Sequence, residues 1–211
     1  MKGTICQYFE KLKSIQDEAS FPDIYFLIGR WNSAGTVSDN GLLLGADQIS
    51  ETFDIPRHEL GLWEKNNFNN VQNIPVVVMH ELTHLQQEKI KEDKTLLFYT
   101  LVEGVADFIC ALVTGKNPSK RQQDYAQIRR NEIREDFRKE MFLDRAYNWI
   151  AHGDKETKNK PADRGYYLGY ESCKSYYGQA ADKKAAIRDM LSIQDYKAFP
   201  EKSKYEEKMS K

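Results

Sequence analysis

The segment TLLFYTLVEGVADFICALVT, residues 95–114, constrains the fold of this chain more than any other stretch. Its only charged residues are Glu103 and Asp107, and most of the others are apolar. A helix that is apolar around most of its circumference is buried, so the sequence predicts a core helix that ends at Gly115. A buried carboxylate is costly unless it is paired or bound to a metal. Two carboxylates four positions apart on one helix face therefore call for a partner.

A pair of histidines in VVVMHELTHLQQ, residues 76–87, can supply that partner. On a helix that starts near Pro75, His80 and His84 lie about 40° apart on one face and about 5–6 Å from each other. Two imidazoles in this arrangement can bind a single Zn²⁺. Glu81 lies beside them but off the line of the ligands, where it could act as a general base toward a water at the metal.

The alternative role for His80 and His84 is hydrogen bonding within the protein, without a metal. His58 and Glu59 also stand together in RHELGLW, but a leucine occupies the position where a second histidine is needed, so this dipeptide leads to no site. The HExxH spacing alone leaves open both a metal site and a helix with two satisfied histidines. The buried carboxylates could pair with arginines such as Arg30 or Arg164 instead of a metal.

The spacing of the two segments favours the metal site. Glu103 follows His84 by 19 positions, which is far enough for the chain to turn back and for the second helix to pack against the first. Gly104 and Ala106 are small and would allow the close approach of helices that metal coordination requires. The sequence thus predicts that HELTH and EGVAD form one site.

The pattern HELTH followed by EGVAD resembles that of the gluzincins, which are zinc metallopeptidases with a third ligand in a downstream ExxxD motif. The resemblance implies that His80, His84 and Glu103 bind one Zn²⁺. It also implies that Asp107 orients a ligand histidine. Over residues 24–177 the chain is also similar to a bacterial family of predicted zinc-dependent proteases, often exported, that is related to the gliding-motility lipoprotein B group.

The predicted fold class is α+β and mainly helical. The resemblance implies a zincin-like fold, with a small N-terminal antiparallel sheet and the HExxH motif on an active-site helix. A buried strand at 24–31 and a second strand at 42–49 flank a polar, glycine-rich loop or hairpin at 32–41.

The rest of the chain is predicted to be helical with polar connections. One domain is expected over residues 1–202, followed by a frayed tail at 203–211. The predicted helices cover residues 5–19, a segment from about 75, residues 95–114, a long and partly solvated helix at 119–151, and further helices after a polar loop at 154–163.

Residues outside the two motifs are candidates for holding a substrate. Gly45 and Ala46, on the second strand, would leave room for a peptide laid along an exposed strand edge, or they could simply end a buried strand at a turn. Hydrolysis also requires a donor to the oxyanion. Tyr167 is the first candidate and Tyr170 the second, and core packing is the alternative for each. His152 is a further candidate for that donor.

Composition excludes several partners and leaves the compartment open. The chain has 211 residues, with 31 Lys and Arg against 32 Asp and Glu, so no strong field favours nucleic acid or an anionic membrane. No uninterrupted apolar run approaches the ~18 residues of a membrane span. The start, MKGTICQYFEKLKSIQ, is compatible with a helix or with a chain whose leader was removed. An exported or lipid-anchored precursor and a cytoplasmic protein both fit, and the oligomeric state is open.

The sequence therefore predicts a zinc metallopeptidase that acts on a peptide or protein substrate. Glu81 would take the proton from the water that attacks a peptide carbonyl and pass it to the leaving amine. Arg164 could hold a substrate carboxylate, or it could pair with Asp163. A binding or assembly protein on the same fold is the main alternative, and an amidase acting on a non-peptide bond would use the same residues. A structural zinc site usually has four protein ligands, and no fourth histidine or cysteine is spaced to complete one.

Overall fold

The computed structural model describes residues 1–31, 33–88 and 93–205. These residues form a mainly helical fold with a small sheet near the N-terminus, which confirms the coarse prediction. The elements are α1 (Lys2–Ile15), β1 (Ile24–Leu27), β2 (Gly35–Ser38), β3 (Gly41–Gly45), α2 (Leu62–Asn67), α3 (Ile74–Gln86), α4 (Leu96–Thr114), α5 (Lys120–Gln127), α6 (Arg130–Glu140), α7 (Gly165–Gln179), α8 (Lys183–Leu191) and α9 (Phe199–Ser203).

Helix α4 is the apolar segment that opened the sequence analysis, and it lies in the core against α3 and α7. The Thr95 side chain accepts a hydrogen bond from the Phe98 backbone N–H at its start. Gly115 ends the helix with a left-handed φ of 73°, as a C-terminal glycine commonly does. By length and composition alone α4 could cross a membrane, but 72% of its most apolar window is buried inside the molecule.

The sheet is mixed, so the prediction of an antiparallel sheet is wrong in part. The strand order is β1-β3-β2, with β2 antiparallel and β1 parallel to β3. A two-residue turn between Ser38 and Gly41 joins β2 to β3, and such a turn requires antiparallel pairing. Strand β1 is not joined to β3 by a hairpin, so its direction is free of that constraint. β3 is therefore the central strand and β2 an edge strand among the described residues.

Strand β1 is exposed, which corrects the prediction of a buried strand at 24–31. Phe26 is 51% and Ile28 is 93% exposed, whereas Leu42 and Leu44 of β3 are fully buried. The apolar composition of β1 suggested burial, but this strand lies at the edge of the sheet with much of its surface uncovered. Asn32, in the predicted loop, lies outside the described residues.

The long helix predicted at 119–151 is divided into α5 and α6. The break falls at Ile128 and Arg129, and the apolar side chain of Ile128 is 80% exposed. Residues 141–151 are mostly irregular, with one 3₁₀ turn. In the predicted tail, Ser203 and Tyr205 are buried, while residues 206–211 lie outside the described part of the chain. The prediction of a single domain over 1–202 stays a prediction.

Two glycines let α4 and α7 pack closely. A Cβ atom on Gly104 would lie 2.2 Å from the carbonyl carbon of Gly169, and a Cβ on Gly169 would lie 1.9 Å from the Thr100 carbonyl oxygen. Such separations are far inside van der Waals contact. Gly104 was expected to face the HELTH helix, but it faces α7 instead. The contact brings the first turn of α7 beside the HELTH and EGVAD segments.

Candidate metal centre

Three side chains from α3 and α4 bring one ligand atom each to a common point. His80 Nε2 lies 3.2 Å from His84 Nε2 and 3.3 Å from Glu103 Oε2, and His84 Nε2 lies 3.4 Å from the same oxygen. A tetrahedral Zn²⁺ with bonds of about 2.0–2.1 Å separates its ligand atoms by about 3.3 Å. The three atoms therefore have the spacing that this ion requires.

The other nitrogen of each ring is already hydrogen bonded, which fixes the tautomer. His80 Nδ1 lies 2.9 Å from Asp107 Oδ1, and His84 Nδ1 lies 2.9 Å from Gln87 Oε1. Gln87 is itself oriented, since its Nε2 donates to the Val102 carbonyl oxygen at 2.9 Å. In the neutral rings both protons therefore lie on Nδ1, and both Nε2 lone pairs face the carboxylate of Glu103. Converging lone pairs repel one another unless a cation lies between them, so these donors fit a metal.

Asp107 lies at the base of this arrangement and is fully buried. Its Oδ1 accepts a hydrogen bond from His80, and its Oδ2 accepts one from the hydroxyl of Ser119. Partners of this kind hold a ligand imidazole in one orientation and raise its basicity. Sequence reasoning placed Asp107 beside a ligand histidine but missed Ser119 and Gln87, because neither belongs to the two motifs.

The charged groups of the centre raise the pKa values of its two histidines and lower the pKa of Glu103. Burial alone lowers the pKa of His80, but the hydrogen bonds and charges of Asp107 and Glu103 outweigh burial and raise the pKa well above its usual value. For His84, burial also lowers the pKa, and Glu103 reverses the direction. Burial would raise the pKa of Glu103, but His84 and His80 hold it well below its usual range. The carboxylate is therefore ionised, and the rings attract positive charge.

Glu81 lies beside the three ligand atoms without joining them. Only 8% of it is exposed, and its carboxylate accepts no hydrogen bond from any described side chain. It packs on β2, where a Cβ on Gly35 would lie 2.5 Å from Glu81 Cγ. Burial raises the pKa of Glu81, and the charge of Glu103 adds to this effect, although both histidines act the other way. A carboxylate with a raised pKa is a better proton acceptor at neutral pH.

Tyr166 is the tyrosine of α7 that faces the centre, and sequence reasoning missed it. Its ring lies 6.4 Å from that of His80, between centroids, and it lines the same cavity. Burial raises the pKa of Tyr166 well above its usual value, and Glu103 reinforces the effect, so the hydroxyl keeps its proton and can donate.

Neither tyrosine selected from the sequence lines that cavity. Tyr167 is buried, and its hydroxyl lies 3.4 Å from that of Tyr205. Tyr170 packs against Phe108, with ring centroids 5.9 Å apart. Neighbouring helix positions are turned by about 100°, so a single step along α7 changes the surface that a side chain faces.

Two further candidates also point away from the cavity. His152 is 2% exposed and lies near Asp163, with 3.4 Å between Nδ1 and Oδ1. The guanidinium of Arg164 stacks on Trp149, 4.4 Å from the ring centroid. Neither side chain lines the cavity that contains the three ligand atoms, whereas Asp163 does.

The centre opens into a cavity of about 900 Å³ that lies between the sheet and α3, α4 and α7. This volume is at the upper end of the range for ligand pockets and far exceeds that of one ion. The edge strand β2 and the two residues before it form one wall, through residues 33–37. Gly45, at the end of β3, and Ala46, in the 3₁₀ turn that follows, do not line the cavity. Gly45 ends the central strand β3 and has no free edge, whereas the edge strand β2 has one here. A role for Gly45 and Ala46 in substrate binding stays a prediction.

Comparison with known proteins places the chain in a family. A family model described as Predicted Zn-dependent protease (DUF2268) matches residues 56–195, which is more than half of the chain. The chain therefore belongs to this family, and the family implies zinc and a peptide or protein substrate. No curated protein and no solved structure matches the chain.

Proposed function

We propose that this chain is a zinc-dependent peptide-bond hydrolase of the gluzincin kind, with a zincin-like fold. The observation that carries the proposal is the set of three ligand atoms, 3.2–3.4 Å apart, with the carboxylate of Glu81 beside them and free of hydrogen bonds from described side chains. A structural site would more usually use a fourth protein ligand. Here only three His, Cys, Asp or Glu side chains of the described residues converge, and the fourth direction faces the cavity.

His80, His84 and Glu103 would hold one Zn²⁺, with Asp107 and Gln87 orienting the two rings. When bound, Zn²⁺ would lower the pKa of a water and polarise a carbonyl oxygen. Glu81 accepts the proton of the attacking water and then transfers it to the nitrogen of the leaving amine. The raised pKa of Glu81 suits both steps, because the group must hold the proton briefly and then release it.

Tyr166 and β2 supply the remaining functions. The protonated hydroxyl of Tyr166 donates a hydrogen bond to the oxygen on which negative charge develops. The free edge of β2 forms backbone hydrogen bonds with an extended peptide, which lies along the cavity wall next to Glu81. Gly35 allows this, since any larger side chain at position 35 would occupy the space of the Glu81 carboxylate.

Hydrolysis by Glu81→Gln compared with wild type tests the proposal. The variant should keep zinc and fold but lose at least about 100-fold in hydrolysis of a mixed peptide library, because an amide cannot accept the proton. Glu59→Gln is a matched control, since Glu59 also follows a histidine but its side chain is 89% exposed. The same loss in both variants, or zinc-loaded wild type that cleaves no peptide in the library, would favour a binding or assembly protein instead.

A further inference from the structure

The cavity contains a buried amide without a hydrogen-bond partner. Gln48, in the short 3₁₀ turn Ala46–Gln48 after β3, is 2% exposed and lines the cavity. Its Nε2 is buried and forms no hydrogen bond with any described residue. A buried polar group left unpaired is destabilising, because it has lost its hydrogen bonds to water without gaining another partner. Such a group in the wall of a cavity points to a partner that enters the cavity.

Gln48 belongs to a continuous polar surface, which we call the amide arm. Three hydrogen bonds connect its members: Asn69 N–H donates to the Gln48 carbonyl at 2.8 Å, Asn69 Nδ2 to the Asn67 carbonyl at 3.0 Å, and Asn73 Nδ2 to Asn69 Oδ1 at 3.4 Å. The rings of two tryptophans border this surface. The amide arm is formed by Gln48, Asn67, Asn69, Asn73, Trp31 and Trp63, all of which line the cavity.

The amide arm contains unused acceptors as well as the unused donor. Asn67 Nδ2 donates to the Trp63 carbonyl, so both Asn67 and Asn73 use their amino groups within the wall. Their side-chain oxygens accept no hydrogen bond from any described residue. None of the six residues is charged. One carboxylate of the wall, that of Asp163, already accepts from Trp63 Nε1 and from the His152 backbone N–H, each at 3.1 Å.

The distance to the metal centre suits a side chain of the same bound peptide. Asn73 immediately precedes α3, and His80 follows seven residues later. The rise of a helix gives about 10 Å between them along the axis. An extended peptide spans that length in about three residues.

We propose that the amide arm is a specificity subsite that binds a carboxamide side chain, asparagine or glutamine, of the peptide substrate. This inference rests on the proposed function. A carboxamide offers an amino group to Asn67 and Asn73 and a carbonyl oxygen to Gln48. The carboxylate of a Glu or Asp side chain would face the oxygens of Asn67 and Asn73 without a proton to donate to them. The ammonium of a Lys side chain could donate to these oxygens but would leave the Gln48 amino group unpaired. An aliphatic side chain would leave the Gln48 amino group and both oxygens unpaired.

The first test measures the thermal stability of the zinc-loaded protein with no peptide added. Gln48→Leu, which removes the unpaired amide at similar volume, should raise the melting temperature of the zinc-loaded protein by a few degrees. Gln72→Leu is the matched control, because Gln72 is exposed and does not line the cavity; it should leave the melting temperature unchanged. A fall in melting temperature for Gln48→Leu would give Gln48 a purely structural role and overturn the proposal.

The second test is binding, measured by calorimetry on zinc-loaded Glu81→Gln so that no turnover is needed. The probes are blocked alanine heptapeptides in which a single Gln, Glu, Lys or Leu is moved along the chain. One or more Gln peptides should bind at least about tenfold more tightly than their Glu, Lys and Leu counterparts. Adding Gln48→Leu should remove that preference, whereas adding Gln72→Leu should retain it.

Three outcomes would overturn the subsite: tighter binding of the Lys peptides, equal binding of all four sets, or a Gln preference that survives Gln48→Leu. Binding of an N-acetylated trisaccharide without any binding of the Gln peptides would assign the amide arm to sugars and also contradict the proposal. If Gln peptides bind selectively but wild type cleaves none of them, the subsite stands and the hydrolase fails. If wild type cleaves peptides without regard to Gln, the hydrolase stands and the subsite fails.

Discussion

The two histidines of the candidate metal centre are supported by partners of different strength. Asp107 is a fully buried carboxylate that is also held by Ser119, so its bond to His80 joins two rigid core elements. Gln87, which supports His84, is a neutral amide at the end of α3. A charged acceptor forms the stronger hydrogen bond and makes its imidazole the more basic ligand.

Asp107→Asn should therefore weaken zinc binding by about 10–100-fold while the protein stays folded. The asparagine keeps the size of the side chain but removes the negative charge that stabilises the His80 ring. Zinc dissociation constants from chelator competition, with circular dichroism to verify folding, measure the effect. Asp124→Asn, at an exposed position on α5, is the control and should bind zinc as wild type does. Unchanged affinity in Asp107→Asn would show that Asp107 does not support the ligand.

Tyr166→Phe should reduce kcat by about 100-fold with little change in KM or in zinc content, since the lost hydroxyl would act on the transition state. Steady-state kinetics on a cleaved library peptide measure both constants. Tyr170→Phe is the comparison on the same helix, because Tyr170 packs against Phe108 and does not line the cavity. A larger loss of kcat in Tyr170→Phe than in Tyr166→Phe would remove Tyr166 from the proposed mechanism.

The sequence predicts the convergent side chains better than the side chains around them. The sequence could place His80, His84 and Glu103 together for two reasons. They lie close to one another along the chain, and the helix that carries Glu103 is too apolar to leave a carboxylate unpaired. The tyrosine that faces the centre could not be chosen from the sequence, since α7 has buried side chains on several faces and its rotation about its own axis depends on the contact with α4. Ser119 and Gln87 lie near the ligands only because of how the chain turns after each helix.

Among the elements, α4 is the one that positions the others. It supplies Glu103 and Asp107 to the centre on one face and meets α7 through Gly104 on another. The two helices are close enough that the contact is formed by backbone atoms. The position of Tyr166, one turn from Gly169, therefore depends on a helix crossing that only glycine permits.

Gly104→Ala should destabilise the protein by about 1–3 kcal/mol, because its Cβ would overlap the Gly169 backbone. Urea unfolding of the zinc-loaded protein measures the change. Gly178→Ala on α7 is the control, because nothing lies within 4 Å of the added Cβ atom. This substitution should leave the free energy of unfolding unchanged or increase it by up to about 1 kcal/mol. Equal stability of Gly104→Ala and wild type would mean that α4 and α7 do not approach as described.

At the level of elements, helices were easier to predict than strands. The EGVAD helix covers Leu96–Thr114 against the predicted 95–114, and the HELTH helix starts at Ile74 against a predicted start near 75, whereas its end was not predicted. The strands are short, and their apolar residues do not distinguish a central strand from an edge strand. Burial of β3 and exposure of β1 depend on which strand lies between the other two, and local sequence does not determine that order.

Over the whole molecule, backbone strain is concentrated around the cavity. Four non-glycine residues of the described chain have positive φ, and three of them line the cavity: Trp31 at 59°, Ala151 at 52° and Asp163 at 60°. Such conformations are each unfavourable by about 1–3 kcal/mol and persist where the surrounding structure fixes them. Together with the unpaired Gln48, these strained residues support the proposal that the cavity binds a ligand.

Zinc binding should couple the stability of the whole molecule to pH. In the zinc-free protein the raised pKa values of His80 and His84 stabilise the fold below about pH 6.5, and that contribution is lost as the pH rises through the folded values. Zinc binds only the deprotonated rings, so its apparent affinity rises over the same range. The increase in melting temperature on adding zinc should therefore be larger at pH 8 than at pH 6. An increase that is equal at the two pH values, or larger at pH 6, would contradict this linkage.

The most direct test of the proposed centre is the zinc content and affinity of the purified protein, measured by mass spectrometry of metals and by chelator competition. Wild type should contain close to one equivalent of zinc. His84→Ala should contain almost none while keeping the helical circular dichroism spectrum, since two ligands and a water do not hold the ion tightly. Wild-type protein that neither contains zinc nor takes it up when Zn²⁺ is added would contradict the assignment of His80, His84 and Glu103 as a metal centre.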